Sequence, residues 1–286
     1  MSDAIAKLIA AERLPERYRE TVERYWQPVA AEIARRAETR RPLLVGINGA
    51  QGSGKTTLCR FLEPLLAERG LTAVTLALDD LYLTRAARQG LAANIHPLFA
   101  TRGVPGTHDV ALGNAVLDRL LAGQSAELPI FDKARDDRVA ETRRVAGPVD
   151  VVLFEGWCVG ARPQPAAALT EPVNGLERDE DATGAWRRAV NRRLLTDYAG
   201  LFGRLDMLVM LKVPDFDAVR AHRRLQETKL GAGPAVMDDA ALERFLAHYQ
   251  RLTQFMLAEM PARADVLVEI GRDQNPVWLS TRPRSV

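Results

Sequence analysis

Short apolar runs recur along the chain and are separated by longer stretches with helical spacing. The runs cover residues 43–47, 73–78, 149–154, 207–213 and 264–270, and we expect the last of these to be the final strand. Continuous apolar runs of this length are typical of strands buried on both faces of a parallel sheet. Because helical stretches separate them, we predict an α/β fold with a doubly wound, mainly parallel sheet and helices on both faces.

Residues 1–40 precede the first predicted strand, and their apolar positions are spaced as in helices. Pro15 and Pro28 are expected to divide this segment into short helices, since proline breaks a helix interior. We predict a helical N-terminal extension that packs on a main domain spanning residues 41–286.

Two long stretches interrupt the alternation of strands and helices. Residues 84–133 are rich in Gly, Pro, His and Arg, and residues 157–183 contain several prolines. We predict long irregular loops there, and such loops on an α/β scaffold are more often functional than accidental.

The composition is that of a globular protein without a strong overall field. The 286 residues include 39 basic and 37 acidic side chains, which leaves a formal net charge of +2 and argues against nucleic acid as a partner. Cys59 and Cys158 are expected to be reduced thiols. We find no secretory signal and no apolar stretch long enough for a membrane span, so we predict a cytoplasmic protein that does not contact membranes.

A phosphate-binding loop lies between the first predicted strand and a helix predicted for residues 56–69. The run fits the G-x-x-x-x-G-K-[ST] pattern, whose glycines turn backbone N–H groups toward phosphates at a helix N-terminus. We expect Lys55 to reach the β- and γ-phosphates of ATP and Thr56 to ligate Mg²⁺. The predicted nucleotide-binding residues are Gly49, Ala50, Gln51, Gly52, Ser53, Gly54, Lys55, Thr56 and Thr57.

Acidic residues follow two of the predicted strands, at the sheet edge where ligands bind in doubly wound folds. Asp79 and Asp80 end the second run, and Glu155 ends the third. A carboxylate there can orient Mg²⁺ or accept a proton from a hydroxyl. The alternatives are a helix N-cap for the aspartate pair and a solvated loop position for Glu155.

Four short segments together resemble the D-glycerate 3-kinase family and its wider relatives, the uridine, phosphoribulo- and bacterial pantothenate kinases. They are the runs at residues 79–84, 102–109, 131–133 and 154–157. The run Arg-Gly-Val-Pro-Gly-Thr-His-Asp at 102–109 is the most specific of them. The resemblance extends from about Pro42 to Ile270.

The resemblance implies roles for individual residues. Asp79 is expected to activate the acceptor hydroxyl, and Glu155 to hold Mg²⁺ or assist the base, so that Lys55, Asp79 and Glu155 are the predicted catalytic residues. An acceptor-binding insert is expected at about residues 84–133 and a lid at about residues 216–235. The implied substrate-binding residues are Asp79, Asp80, Tyr82, Arg102, Thr107, His108 and Lys133, and the implied lid residues are Arg220, Arg223 and Arg224.

The chemistry of these residues suits a small hydroxylated anion. A glycerate pocket requires a cation for the carboxylate, hydrogen-bond donors, and a carboxylate beside the reacting hydroxyl. Arg102, Thr107, His108 and Asp79 supply that set. His96 alone is more often structural, and the three lid arginines could equally form a solvated helix face.

We therefore predict an ATP-dependent kinase that phosphorylates a small metabolite, with D-glycerate to 3-phosphoglycerate as the main hypothesis. A nucleoside or pantothenate-like acceptor remains an alternative, although residues 84–133 contain only Phe99 and Phe131 as aromatic residues for base stacking. The other alternative is a regulatory P-loop NTPase that needs no second small substrate. The sequence gives no indication of the oligomeric state.

Overall fold

A six-stranded sheet forms the centre of the molecule, and a separate two-stranded hairpin lies beside it. The computed structural model describes residues 3–230 and 237–282, with side chains for all of these except 226–230. The sheet order is β2-β5-β1-β6-β7-β8, in which all neighbouring pairs are parallel except β7 and β8. The strands are β1 (Leu43–Gly49), β2 (Ala73–Ala77), β3 (Ala126–Asp132), β4 (Asp137–Val145), β5 (Val151–Gly156), β6 (Met207–Lys212), β7 (Val266–Ile270) and β8 (Pro276–Thr281).

Helices cover both faces of this sheet, which confirms the predicted doubly wound α/β architecture. The helices are α1 (Asp3–Ala11), α2 (Tyr18–Thr21), α3 (Gln27–Ala37), α4 (Lys55–Ala67), α5 (Arg85–Asn94), α6 (Val110–Leu121), α7 (Gly175–Glu180), α8 (Ala185–Leu195), α9 (Asp197–Phe202), α10 (Phe216–Leu230) and α11 (Asp239–Glu259).

Strand β1 shows why the apolar runs are continuous. Its side chains alternate between faces, so Val45 and Ile47 enter the core under α3 and α4, while Leu44 enters the core under α6 and α11. All seven residues of β1 are buried. Burying a large apolar side chain fully contributes roughly 1.5–3 kcal/mol, so a strand with two buried faces favours apolar residues at every position.

The helical N-terminal segment packs on the core. Val22, Trp26 and Ile33 are buried against residues of α4 such as Phe61. The expected break at Pro28 is wrong, because α2 continues through a π-helical turn at Val22–Trp26 into α3. The wide turn shifts the hydrogen-bond pattern just before Pro28, which lies in the first turn of α3, where a missing N–H costs little.

The two stretches predicted to be irregular differ in outcome. Residues 84–133 are largely regular, since they contain α5, α6 and the whole of β3, so that part of the prediction is wrong. Residues 157–183 do consist mainly of loops, with a short 3₁₀ turn at Ala166–Leu169 and α7. The strand of residues 264–270 is also not the last, because β8 follows it as an antiparallel edge strand.

The carboxyl ends of β1, β2 and β5 meet at one edge of the sheet, which places their following loops together. The hairpin β3–β4 approaches this edge through the 3₁₀ turn at Leu78–Leu81, which follows β2. Within the described ranges, every helix falls short of the length and apolarity that crossing a lipid bilayer would require.

Candidate active site

The phosphate-binding loop joins β1 to α4 with the backbone geometry that its glycines permit. Gly52 and Gly54 have φ of 77° and 89°, values that other residues rarely adopt. Gly54 caps α4, so the N-terminus of this helix and Lys55 face the carboxyl edge of the sheet. The side chain of Gln274, from the turn between β7 and β8, donates to the Gly52 carbonyl at 3.2 Å and supports the loop. The arrangement is a concave set of N–H donors suited to phosphate oxygens.

Two predicted residues, Thr56 and Glu155, are in direct contact. The Thr56 hydroxyl donates to Glu155 Oε1 at 2.8 Å, and the Glu155 residue is only 6% exposed. Their oxygens therefore converge beside the phosphate-binding loop. In the described part of the chain, no group of three or more His, Cys, Asp or Glu side chains forms a metal site of its own.

Asp79 and Asp80 lie in the 3₁₀ turn after β2 rather than at the end of the strand itself. Their side chains have different partners. Asp79 accepts from Lys133 Nζ at 2.7 Å and from the Tyr82 hydroxyl at 2.9 Å. Asp80 instead accepts from the backbone N–H of Phe131 at 3.3 Å, so it supports the hairpin.

The charges around Asp79 keep its carboxyl ionised. Burial acts to raise the pKa of Asp79, but Lys133 and Lys55 outweigh it, together with the hydrogen bonds from Lys133 and Tyr82, and lower the pKa to about 2. The pKa of Asp80 shifts the other way, because burial raises it. Asp79 is thus the acid of the pair that is ready to accept a hydrogen bond from a hydroxyl.

A cavity of about 110 Å³ opens in front of Asp79. It is lined by polar and charged side chains from the phosphate-binding loop, the hairpin, the 102–109 segment and α10. Drug-sized ligands occupy pockets of about 300–1,000 Å³, so this cavity suits a small molecule. Its polar and charged lining residues are Gln51, Lys55, Asp79, Arg102, Lys133 and Arg223.

Aromatic side chains complete the cavity, and sequence reasoning missed most of them. Tyr82, Trp157, Phe245 and Tyr249 line it, but only Tyr82 was predicted. The count of aromatic residues within 84–133 was therefore a poor guide to the pocket, because its aromatic wall comes from the segment after β5 and from α11. The Phe-Glu-Gly-Trp run at 154–157 was the one available signal for Trp157.

The aromatic wall holds the backbone of the 102–109 segment. Trp157 Nε1 donates to the Gly103 carbonyl at 2.9 Å, and the Tyr249 hydroxyl donates to the Arg102 carbonyl at 3.0 Å. Gly103 has φ of 132°, and a Cβ there would come within 2.0 Å of the Tyr249 hydroxyl. The close approach of backbone and ring at this point therefore requires glycine.

Arg102 and Lys133 face the cavity, whereas Thr107 and His108 lie behind it. Thr107 is fully buried, and its hydroxyl donates to the Val104 carbonyl at 2.8 Å and accepts from the Gly103 N–H at 2.9 Å. His108 stacks on Tyr82 with ring centroids 4.6 Å apart, and its Nδ1 lies 2.6 Å from the Tyr198 hydroxyl. Burial lowers the pKa of His108 to about 4, which keeps the ring neutral near pH 7. Both residues are placed to shape the segment rather than to line the cavity.

The three predicted lid arginines occupy different environments on α10. Arg223 lines the cavity and lies over the ring of Phe245 at 5.6 Å. Arg220 and Arg224 pair with acidic side chains, Glu243 of α11 among them, at 3.2 and 3.4 Å. Residues 231–235 of the predicted lid lie outside the described residues, so closure of a lid remains a prediction.

His96 and the two cysteines lie away from the cavity lining. His96 Nδ1 accepts from the Leu98 N–H at 3.3 Å, which caps a 3₁₀ turn at Pro97–Ala100 and agrees with a structural role. Cys59 and Cys158 are free and buried.

Comparison with known proteins relates this chain to kinases. No family model matches the chain. The uncharacterised kinase mug58 of Schizosaccharomyces pombe is 34% identical over 251 residues, which cover 82% of this chain and 89% of that relative. The chloroplastic D-glycerate 3-kinase of Arabidopsis thaliana is 29% identical over 257 residues. Those residues cover 82% of this chain and 54% of the plant protein, so the chain spans about half the length of that relative.

A solved structure shares the fold over nearly the full length. The D-glycerate 3-kinase of Cryptococcus neoformans var. grubii superposes with a TM-score of 0.77 at 27% identity, covering 90% of this chain and 99% of that one. The predicted fold and the predicted class of enzyme therefore agree with proteins named as kinases.

Proposed function

This chain belongs to the P-loop kinases of the D-glycerate 3-kinase type, and we propose that it transfers the γ-phosphoryl group of ATP to the 3-hydroxyl of D-glycerate. The observation that carries this proposal is that Lys55, Asp79, Arg102 and Lys133 all line the same small cavity. One side of that cavity suits a nucleotide phosphate and the other suits a small anion.

The nucleotide side needs few side chains. The N–H groups of the phosphate-binding loop and the N-terminus of α4 would bind the phosphates, and Lys55 would stabilise charge on the transferring group. Mg²⁺ fits the oxygen donors present, because this ion usually takes one or two protein ligands together with substrate phosphates and water. We propose that Thr56 and Glu155 hold it, where it would neutralise phosphate charge.

On the acceptor side, Asp79 is placed to orient the reacting hydroxyl and to take its proton. Its pKa of about 2 means that it is a carboxylate at neutral pH and can accept a hydrogen bond from the acceptor from the start. In a loose phosphoryl transfer the proton leaves late, so positioning matters more than strong basicity. Arg102 and Lys133 line the same cavity as this acid, and we propose that they bind the glycerate carboxylate.

The aromatic wall does not favour a nucleoside acceptor. The polar atoms of Trp157 and Tyr249 are already engaged with the backbone at residues 102 and 103. The cavity volume of about 110 Å³ is small for a base and a ribose together. A three-carbon acid is the acceptor class that matches both the volume and the charge.

A direct comparison of acceptors tests the proposal. The purified chain would be given ATP and Mg²⁺ with D-glycerate, L-glycerate, uridine or pantothenate, and ADP release would be measured against acceptor concentration. NMR of the product would distinguish 3-phosphoglycerate from 2-phosphoglycerate. We expect the highest kcat/KM with D-glycerate and phosphorylation at the 3-hydroxyl; a clear preference for uridine or pantothenate would refute the assignment of the acceptor.

A further inference from the structure

A fully buried arginine lies beneath the acceptor side of the cavity. Arg88, on α5, is 0% exposed, and the hydrogen bonds that its guanidinium makes to described residues all go to Asp136. Nη1 donates to Asp136 Oδ1 at 3.1 Å, and Nη2 donates to Oδ2 and to the backbone carbonyl, each at 2.7 Å. Burial of a charged side chain is rare and unfavourable unless the charge is paired. The burial of Arg88 therefore depends on its ion pair with Asp136, a residue of the hairpin.

Asp136 lies in the turn that joins β3 to β4, three residues after Lys133. Its φ is 55°, a left-handed conformation that aspartate tolerates better than most residues. The three bonds from Arg88 fix both its backbone and its carboxylate in that conformation. Arg88 therefore holds the turn between β3 and β4 in place.

The same carboxylate also contacts Arg102. Arg102 Nη1 donates to Asp136 Oδ1, and the guanidinium of Arg102 lies 5.4 Å from the centre of the Phe131 ring. Arg88 lies 5.8 Å from the centre of the same ring. Asp136 thus joins two arginines from separate segments, of which one is buried and the other lines the cavity.

The net charge of Arg88, Asp136 and Arg102 determines how strongly Arg102 can bind an anionic ligand. Two guanidiniums and one carboxylate leave one net positive charge. Without Arg88, the pair of Asp136 and Arg102 would be neutral, and Asp136 would compete with an incoming carboxylate for the same guanidinium. The neighbouring pair of Lys133 and Asp79, 2.7 Å apart, adds no net charge, although the Lys133 ammonium can still donate to a bound carboxylate.

We propose that Arg88 is a positioning residue for acceptor binding, which acts on Arg102 through Asp136. It neutralises Asp136 and holds it in place, so that Arg102 is fixed toward the cavity and keeps its charge for the acceptor's carboxylate. The inference rests on the proposed function and adds to it a pair of residues that select an anionic acceptor.

Kinetics of three variants test this role with D-glycerate and ATP as the varied substrates. Arg88→Met removes the buried charge and should raise the KM for glycerate by about tenfold or more, the loss expected for one charge-assisted contact. The KM for ATP and kcat should stay within about twofold, because the nucleotide side is untouched. Adding Asp136→Asn, which tolerates the same φ, should bring the glycerate KM most of the way back, since it removes the competing carboxylate.

The double variant distinguishes two roles of Arg88, which are neutralisation of the Asp136 charge and structural support of the hairpin. If Arg88 only supported the fold, the double variant would be no better than Arg88→Met, and that result would overturn the proposal. So would an equal rise in both KM values, or an unchanged glycerate KM in folded Arg88→Met. Should Arg88→Met fail to fold, Arg88→Lys retains the charge and must keep the glycerate KM within about threefold of wild type; a rise of about tenfold at constant ATP KM would also overturn it. A wild-type chain that does not phosphorylate D-glycerate would instead refute the proposed function, together with this extension of it.

Discussion

The two sides of the cavity are built by different means. The nucleotide side, residues 49–57, follows a central strand of the sheet and presents mainly backbone N–H groups. The acceptor side, at residues 102–109 and 126–145, presents side-chain charges that are held by other charges, such as Arg102 by Asp136 and Lys133 by Asp79. A site formed by backbone N–H groups tolerates many substitutions of neighbouring side chains. A site formed by paired side chains is altered when either member of a pair is replaced.

The largest effect is expected on the nucleotide side, at Lys55. Lys55→Ala should lower kcat by about 10³-fold or more while the fold persists, because Lys55 acts on phosphate charge and does not pack in the core. Steady-state kinetics with a thermal melt would measure both. Lys7→Ala, in an exposed pair with Asp3 on α1, is the matched control and should be silent. Near-normal turnover in folded Lys55→Ala would remove the basis for the nucleotide assignment.

Asp79 is the residue where the two sides meet, and its loss should affect the chemical step. Asp79→Asn should lower kcat by about 10²–10⁴-fold with little change in ATP affinity, because an amide cannot take the hydroxyl proton. Asp80→Asn is the control: the amide oxygen can still accept from the Phe131 N–H, so activity should be close to normal. The reverse ranking of these two variants would reassign the base to Asp80.

The separation of the two sides predicts a selective effect at Arg102. Arg102→Ala should raise the glycerate KM by about 10–100-fold, as expected on losing about 1.5–3 kcal/mol of charge-assisted hydrogen bonding. The ATP KM should remain nearly constant. Arg178→Ala removes an exposed arginine that pairs with Asp179 and is not part of the cavity lining, and it should change neither value. A fall in ATP affinity in Arg102→Ala would place this residue in the nucleotide site.

The smallest effect is a shift in pH dependence. Asp79 must be ionised to act, so activity is lost as the pH falls through its pKa, which Lys133 helps to hold near 2. Lys133→Met should raise this pKa and move the acid limb of kcat/KM to higher pH by about one unit, whereas Lys133→Arg should not. An acid limb at the same pH in Lys133→Met and wild type would show that Lys133 does not set the ionisation of the base. The pKa of His108 is about 4, so this residue should add no transition to the pH profile near 6.5, the usual pKa of histidine.

The two sides also differ in how far the sequence predicts them. The central strands and the phosphate-binding loop have local signals, because burial on both faces and positive φ demand particular residues in a short run. Of the acceptor side, the sequence predicted Asp79, Arg102 and Lys133 at the cavity. It also predicted contact for Thr107 and His108, which have suitable chemistry but lie buried behind the lining. His108 is oriented by Tyr198, a partner 90 residues away that no local pattern indicates.

Long-range contacts account for the other features that sequence reasoning missed. The hairpin β3–β4 lacks a clear strand signal because β4 is mostly exposed and highly charged. Tyr249 and Phe245 reach the cavity from α11, more than 140 residues after Arg102. The pairing of Arg88 with Asp136 spans 48 residues and joins a helix to a turn. Such contacts follow from the packing of whole elements rather than from spacing along the chain.

The proposed phosphoryl transfer requires that ATP turnover depend on the acceptor side of the cavity. The most direct test measures ADP release by the wild-type chain at saturating ATP and Mg²⁺, with and without D-glycerate. We predict little release without the acceptor, saturable release with it, and one 3-phosphoglycerate formed for each ADP. ADP release at the same rate with and without D-glycerate, and no phosphorylated acid, would contradict the account.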